Sequence, residues 1–464
     1  MPYALCTLNS IHAQLKKIAR PKGQAIFIGS IINVGVGKPQ HLFFKKNETY
    51  SEKTITIKST KTNRNGVKNM SQQDIIKELV GLQDIIVNNI EQNEKEINIY
   101  LELERKEHKC PCCSGQTSRI HDYRTQKVHD INILGKKVYL ILRKRRYVCP
   151  NCGKRFYEAN SFLPKYHRIT NRMTAWIIGM LKTNRSYKDV AIECGLSEFT
   201  VARRFDLIGF KMKHLPEVLS IDEFKGDTSG EKYQVILTNP KTHVVLDVLP
   251  KRTEHYLTDY FRQFSKEERN KVKYFVCDMY KPYKIICETY FKNAILITDK
   301  YHWVRQATWA LENVRKRIQK QFGKEKRIYF KHSRSLLTRP YEKLKDEERQ
   351  ALMVMLDISS DLSTVYYLKE QLRNYVLYES DKETARKELN IWIRDAKESE
   401  IPELKPAITA FTNWKDSIIA SCGQPITNGF TEGCNNKIKV LKRNAYGYRN
   451  FERFRKRILF IFAA

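Results

Sequence analysis

The chain has 464 residues, and its 84 Lys and Arg against 51 Asp and Glu give a formal net charge of +33. The 41% of hydrophobic residues is somewhat below the usual globular range, but the 11% of aromatic residues argues against a disordered chain, and the length predicts two or three folded units. No stretch approaches the ~20 apolar residues of a membrane span, so we expect a soluble protein with no membrane partner, and the basic excess favours nucleic acid over a membrane surface as the partner.

The beginning of the chain divides at Met70. Residues 1–69 show no sustained helical period, and we interpret them as a non-native extension read from upstream sequence, with a flexible DNA-binding arm as the alternative. From Met70 a capping-box-like start is followed at helical spacing by Ile75, Ile76, Leu79, Leu82 and Ile85. Residues 70–109 are therefore predicted to form a helical segment.

Residues 110–160 are predicted to form a small zinc-binding β module. Five of the 11 cysteines lie between residues 110 and 152, which favours a reducing, cytoplasmic location and a metal site over disulfides. Two Cys-x-x-Cys knuckles can hold one tetrahedral Zn²⁺ ion, and their cysteines are Cys110, Cys113, Cys149 and Cys152. Other ligands stay open at this point, namely Cys112, His108, His121 and His129.

Residues 165–212 carry the features of a helix-turn-helix DNA-binding domain. Ala191 is small where two helices would cross, Gly195 permits the turn, and Ser197 can cap the second helix. That second helix would enter the major groove, and the residues it offers to DNA include Ser197, Thr200, Arg203 and Arg204. An ordinary helical hairpin is the alternative.

Five short apolar runs then predict a sheet with a helix between the third and fourth strands. The runs are Glu217–Phe224, Tyr233–Thr238, Val244–Leu249, Lys273–Cys277 and Ala294–Ile297. Asp222 and Asp278 come at the ends of the first and fourth runs. If these two strands are neighbours, their carboxylates converge and can bind hard metal ions.

A third acid is expected downstream on a helix. In residues 428–445 helical spacing places Glu432, Asn436, Lys439 and Arg443 on one face, with apolar residues on the opposite face. A lone acid among amides and bases suits a metal site beside a DNA backbone. A plain surface glutamate would look the same.

These residues resemble the DDE-type transposases of the bacterial insertion-sequence family ISL3. The resemblance covers residues 70–464 and is carried by the knuckles, the helix-turn-helix and the blocks 219–224, 276–279, 297–302, 427–439 and 443–451. It implies an α/β, RNase H-like mixed-sheet catalytic core at residues 215–305 and 421–464, interrupted by a helical insertion at residues 306–420. It also implies that Asp222, Asp278 and Glu432 form the metal triad.

Asp299 and His302 resemble the Asp-x-x-His signature of that group. They are expected either to orient the active site or DNA, or to act as a cap at the strand end.

The predicted function is that of a transposase that binds the terminal inverted repeats of its element as double-stranded DNA, then cleaves and joins strands with two Mg²⁺ (or Mn²⁺) ions. We expect target DNA as a second substrate and a homo-oligomer on DNA. The alternatives are a catalytically inactive DNA-binding regulator derived from a transposase, and a nuclease with the same fold.

Overall fold

The computed structural model describes residues 81–82 and 84–463, apart from residues 325–326, 328–329 and 331–332. The predicted extension, residues 1–69, and the start of the predicted helical segment lie outside the described residues. The chain divides into two compact units, with the boundary between Ile208 and Gly209. We describe each unit by itself.

The described residues of the first unit form β-strands and three short helices. Its strands are β1 (Ile85–Gln92), β2 (Glu96–Leu103), β3 (His108–Lys109), β4 (Gln116–Thr117), β5 (Ile120–Ile133), β6 (Lys136–Val148) and β7 (Arg155–Tyr157). Its helices are α1 (Asn171–Met180), α2 (Tyr187–Cys194) and α3 (Glu198–Phe205). The main sheet has the order β1-β2-β6-β5 with β7 also paired to β6, whereas β3 and β4 form a separate two-stranded sheet.

The prediction of a helical segment over residues 70–109 is wrong for the described part. Residues 85–103 form β1 and β2, because Ile97, Ile99, Leu101 and Leu103 alternate with polar side chains at the two-residue period of a strand. The helical spacing that began at Ile75 and Ile76 included Ile85, which is the first residue of β1. The predicted cysteine-rich module is consequently part of a larger sheet, in which β2 pairs with β6.

The second unit is built around a mixed sheet of five strands. Its elements up to the end of the sheet are β8 (Val218–Thr228), β9 (Glu231–Asn239), β10 (Val244–Leu249), α4 (Glu254–Arg262), α5 (Lys266–Asn270), β11 (Tyr274–Cys277), α6 (Lys281–Tyr290) and β12 (Ile295–Thr298). The strand order is β10-β9-β8-β11-β12; β8, β9 and β10 are antiparallel, whereas β11 is parallel to β8 and β12. All five predicted strands and the intervening helix are present.

Helices make up most of the described remainder of this unit. They are α7 (Lys300–Lys320), α8 (Arg334–Thr338), α9 (Asp346–Asp357), α10 (Ser360–Gln371), a π-helical segment (Leu372–Leu377), α11 (Lys382–Glu398), α12 (Lys405–Asn413), α13 (Lys415–Ser421), α14 (Gly429–Asn444) and α15 (Phe451–Phe462). Two 3₁₀ turns lie at Tyr341–Lys343 and Pro402–Leu404.

The sheet buries both faces, as the alternation of side chains along β9 shows. Val235 and Leu237 pack into the large core that the sheet shares with α4, α6, α7 and the following helices. Ile236, between them, packs on the opposite face with Ile438 of α14 and Ile458 of α15. The helix predicted to carry the third acid therefore lies directly on the sheet.

Candidate active site and DNA-binding elements

Asp222 lies in the middle of β8, not at a strand end as predicted. It pairs with Ile236 of β9, and β8 continues for six residues beyond it. The last register pair of β8 with β11 is Ser220 with Val276, so Asp222 and Asp278 each follow two residues beyond that pair. The predicted convergence of the two carboxylates rests on this register. Because β8 continues beyond the last residue of β11, Asp222 lies beside the point where β11 ends.

Asp278 is the first residue after β11, and its carboxylate accepts a hydrogen bond of 3.0 Å from the backbone N–H of Tyr280. Near it, Arg252 donates a hydrogen bond of 2.6 Å to Glu223 and lies over the rings of Tyr233 and Tyr280. Sequence reasoning had no means of finding Arg252, because it lies in the loop after β10 and its partner Glu223 lies on β8.

The two aspartates carry raised pKa values. Burial, which leaves Asp222 only 6% exposed, together with the charges of Asp278, Glu223 and Asp299 raises the pKa of Asp222 to about 7. Burial and the charge of Glu223 raise the pKa of Asp278 to about 6, against the lowering effect of His302. Buried carboxylates that repel one another are stabilised as anions by a bound cation, and carboxylate oxygens are the preferred ligands of hard divalent ions. These residues fit a divalent metal site.

Glu432 lies in the first turn of α14. Two nearby residues, Asn428 and Thr431, hold this turn against the sheet through side-chain hydrogen bonds. The hydroxyl of Ser220 donates a hydrogen bond of 2.6 Å to Asn428, and the hydroxyl of Thr431 lies 2.8 Å from that of Thr238 on β9. These contacts are buried and fix the helix start. The Glu432 side chain is half-buried and does not belong to the apolar face of α14.

Among the described residues, the acidic group that could share one metal ion within 4.8 Å is formed by Asp299, His302 and Glu432. Asp299 is the N-cap residue of α7, accepts a hydrogen bond of 3.4 Å from the backbone N–H of Asn428, and lies 3.9 Å from His302. Its other carboxylate oxygen, the one that faces His302, is buried without a hydrogen-bond partner. The predicted supporting residues thus lie next to Glu432, whereas Asp222 and Asp278 interact with this group through their charges.

Asn435 is a site residue that sequence reasoning missed. Its side-chain amide donates a hydrogen bond of 2.9 Å to Asp222 and another of 3.3 Å to the backbone carbonyl of Glu223. One turn of α14 therefore carries both the half-buried Glu432 and the donor that orients Asp222. The spacing of three residues from Glu432 was the available signal.

The other predicted residues of α14 form an exposed polar surface. Asn436, Lys439 and Arg443 are all exposed, and the Lys439 ammonium donates a hydrogen bond of 3.3 Å to the amide oxygen of Asn436. This surface runs along the helix from Glu432. Amide and basic side chains in this position suit contacts with DNA phosphates.

The four predicted zinc ligands lie together in the first unit. Their sulfur atoms are all within 4.8 Å of one another; Cys110 and Cys152 are 3.6 Å apart, and Cys113 and Cys149 are 3.4 Å apart. Four thiolates at about 2.3 Å from one Zn²⁺ ion would be about 3.8 Å apart, so the cluster fits that ion. Backbone N–H groups of the first knuckle, that of Cys113 first, lower the pKa of Cys110 to about 6, which favours the thiolate form that binds metal.

The alternative ligands lie outside this cluster. Cys112 is exposed and contributes only its backbone N–H, 3.4 Å from the Cys110 sulfur. The His108 ring packs on Tyr147, and His121 pairs with Asp122. The structure thus selects Cys113 over Cys112 as the second cysteine of the first knuckle.

The helix-turn-helix has the predicted local geometry. Gly195 ends α2 with φ +64°, in the left-handed region that glycine adopts readily, and the Ser197 hydroxyl caps α3 by accepting from the backbone N–H of Thr200. The hydroxyls of Ser197 and Thr200 also lie 2.9 Å from each other. The Ser197 hydroxyl is therefore engaged in capping and the Thr200 hydroxyl contacts it, while the contacts of both with DNA stay a prediction.

The two predicted arginines of α3 differ. Arg203 is exposed, whereas Arg204 is half-buried, with its guanidinium 3.1 Å from the His167 ring. Phe199, in the first turn of the same helix, is 77% exposed and was not identified from the sequence. Arg203 and Phe199 are thus two exposed large side chains of this helix.

Three models of protein families match consecutive segments of this chain. The family model of ISL3-type DDE transposases, described as transposase, matches residues 219–458. The zinc finger of the transposases of IS204, IS1001, IS1096 and IS1165 matches residues 106–152, and the helix-turn-helix domain of transposase family ISL3 matches residues 158–209. The transposase for insertion sequence element IS1001 from Bordetella parapertussis is 26% identical over 407 residues, which cover 83% of this chain and 97% of that protein.

The mixed sheet with strand order β10-β9-β8-β11-β12 and helices on both faces is the RNase H-like core of the class of DDE transposases, whose family model matches this part of the chain. The chain belongs to the ISL3 family of these transposases. As a DNA transposase it is an enzyme of DNA strand cleavage, and its class depends on divalent metal ions. Over the described part of the chain, every helix is too short or too polar to cross a membrane.

Proposed function

We propose that this transposase binds the terminal inverted repeats of its insertion sequence as double-stranded DNA and catalyses Mg²⁺-dependent strand cleavage and strand transfer. Asp222, Asp278 and Glu432 hold two divalent ions. The observation that carries this assignment is the register of β8 and β11, which brings buried Asp222 on β8 next to half-buried Asp278 just after β11, with α14 held on the sheet beside them.

When bound, the ions supply charge stabilisation and activate the attacking oxygen. The chain's own residues set the geometry: Asn435 orients the Asp222 carboxylate, the Tyr280 N–H orients that of Asp278, and the Asn428–Ser220 contact fixes the start of α14. In the first step water attacks the phosphorus at the element end and a 3′-hydroxyl is released. In the second step that hydroxyl attacks a target phosphodiester, whose own 3′-oxygen leaves.

The remaining parts supply DNA binding. The zinc held by Cys110, Cys113, Cys149 and Cys152 stabilises the first unit, and Arg203, with support from Arg204, contacts the element ends from the helix-turn-helix. On the second unit, Asn436, Lys439 and Arg443 contact the strand that is cut. The active form is a homo-oligomer on DNA, because cleavage and joining at two element ends require two active sites.

The test uses purified protein and duplex oligonucleotides with the element's ends, and it measures nicking with Mg²⁺ or with chelator. We expect Asp222→Asn, Asp278→Asn and Glu432→Gln to lower the rate by orders of magnitude while binding persists, since DNA affinity comes from the basic modules. Asp227→Asn is the matched control, because Asp227 is an exposed acid of β8 that pairs with Lys442. Normal cutting by Glu432→Gln would show that the third ligand is a different acid.

Asp299 and His302 need a separate measurement, because they lie closest to Glu432. If they only position the site, Asp299→Asn should lower the nicking rate less than Glu432→Gln does. An equal loss, with an equally raised metal requirement, would make Asp299 a metal ligand in its own right. A catalytically inactive regulator would show end binding without nicking by the unaltered chain.

A further inference from the structure

Helix α7 carries an exposed row of aromatic and basic side chains that the site described above does not use. The helix begins directly after Asp299, and Tyr301, Arg305 and Trp309 follow at four-residue spacing on its exposed face. The exposed fractions of the two aromatic residues are 57% for Tyr301 and 46% for Trp309. At this spacing the two aromatic rings form a continuous exposed surface on which a ligand can bind.

The guanidinium of Arg305 lies between the two rings. Its central carbon is 4.3 Å from the centre of the Trp309 ring and 5.7 Å from that of Tyr301. The three side chains, here named the α7 ladder, span roughly 12 Å along the helix axis. Flat aromatic and guanidinium groups in such a row offer planar surfaces on which nucleobases can stack.

The charge of α7 adds a preference for an anionic strand. Beyond the α7 ladder the same exposed face continues with Lys316 and Lys320. The only acid among residues 300–320, all of which the structure describes, is Glu312, which is buried and paired with Arg315. A basic track with aromatic side chains is the arrangement that binds single strands, whereas a site for duplex DNA needs charge alone.

The position of the α7 ladder relates it to the proposed cut site. Tyr301 is adjacent to His302, and the two rings contact each other edge-on with their centres 5.6 Å apart. His302 in turn belongs to the group of possible metal ligands that includes Glu432. We propose that the α7 ladder binds unpaired bases of the DNA strand next to the cut site, with Lys316 and Lys320 on its phosphates. This inference rests on the proposed cleavage function.

Stacking of bases on the α7 ladder would help the phosphodiester reach the active site. A phosphodiester inside an intact duplex is hard to align with buried carboxylates, and unstacking the flanking bases gives the backbone the freedom to enter. Stacking of the displaced bases on Tyr301 and Trp309 offsets the free energy that unpairing costs.

The test measures equilibrium binding of the full chain, without divalent metal, to three element-end duplexes. The first is fully paired, the second carries a short unpaired thymidine tail at the cut site, and the third carries the same tail without bases. We expect the unaltered chain to bind the thymidine tail about tenfold more tightly than the abasic tail. Tyr301→Ala with Trp309→Ala should remove this preference and leave affinity for the paired duplex unchanged.

Two further variants make the result specific. Tyr301→Phe with Trp309→Phe keeps stacking surfaces and should keep the preference, and it serves if the alanine variant fails to fold. Tyr367→Ala is the control, since Tyr367 is a 55% exposed aromatic residue on α10. Equal binding of both tails by the unaltered chain, loss of preference in the phenylalanine variant, or an equal loss for paired and tailed DNA in the alanine variant would each overturn the proposal.

Nicking with Mg²⁺, measured in parallel, separates the two proposals. A base preference without any nicking would refute the proposed function and leave the α7 ladder standing. Nicking without a base preference would refute the α7 ladder alone.

Discussion

Replacing Asn435 by Ala removes the donor that holds Asp222. The lost hydrogen bond of 2.9 Å goes to a carboxylate that is 6% exposed, so no water molecule readily replaces it. Hydrogen bonds to charged groups contribute about 1.5–3 kcal/mol, and loss of a residue that orients a metal ligand lowers metal affinity or activity about 10- to 100-fold. We expect Asn435→Ala to raise the Mg²⁺ concentration for half-maximal cleavage by a factor in that range.

The assay follows the initial nicking rate of an element-end duplex over a series of Mg²⁺ concentrations. High Mg²⁺ should recover much of the rate of Asn435→Ala but none of the rate of Asp222→Asn, because only the first variant keeps the ligand. Asn436→Ala is the matched control, an exposed asparagine one position further along α14 that should alter DNA affinity alone. An unchanged metal requirement in Asn435→Ala, or the same shift in both variants, would refute the reasoning.

Three further predictions concern the first unit. Cys149→Ser should lower bound zinc, measured by metal analysis of protein purified without chelator, whereas Cys112→Ser should keep one equivalent; the reverse result would assign Cys112 to the site. Arg203→Ala should weaken binding of element ends and flatten its salt dependence, and unchanged affinity at moderate salt would exclude the exposed face of α3 from the interface. Gly195→Ala should lower the free energy of unfolding by about 1–2 kcal/mol, measured by denaturant titration, since a side chain at φ +64° is strained and its Cβ would lie 2.5 Å from Lys137; an unchanged midpoint would contradict that estimate.

The catalytic sheet was predictable because its strands are short, buried and strongly apolar. Val244–Leu249 matches its predicted bounds, but β8 runs on through Lys225 to Thr228, where polar side chains gave no strand signal and the hairpin with β9 sustains the pairing. The same extension moved Asp222 from a strand end to mid-strand. Local pattern identifies a buried run, whereas the length of a hairpin depends on its partner.

The first unit shows the opposite case. Residues 96–103 alternate clearly, yet the helical spacing of the preceding isoleucines suggested a helix, and the parallel pairing of β2 with β6 lies across a gap that sequence pattern does not bridge. The cysteine knuckles, by contrast, were predictable because a metal site needs only local turns and the right atoms.

Within the candidate site, helix-face spacing was enough to select Glu432, but the partners of each residue were not predictable. Asn435 contacts Asp222 across more than 200 positions, and Arg204 contacts His167 from another element. Such contacts follow from the packed fold. The α7 ladder escaped notice for another reason: aromatic residues at helical spacing usually mark a buried face, and only the structure shows that this one is exposed.

The attachment of α14 to β8 and β9 also orders events during translation. At ~5–20 residues per second, the about 150 residues between Asp278 and Glu432 take roughly 8–30 s to synthesise. During that interval a ribosome-bound chain can hold both aspartates on their strands while Ser220 and Thr238 still lack the partners that α14 brings. A nascent or prematurely terminated chain that ends before residue 429 therefore lacks α14, and with it Glu432 and the Asn435 amide that holds Asp222.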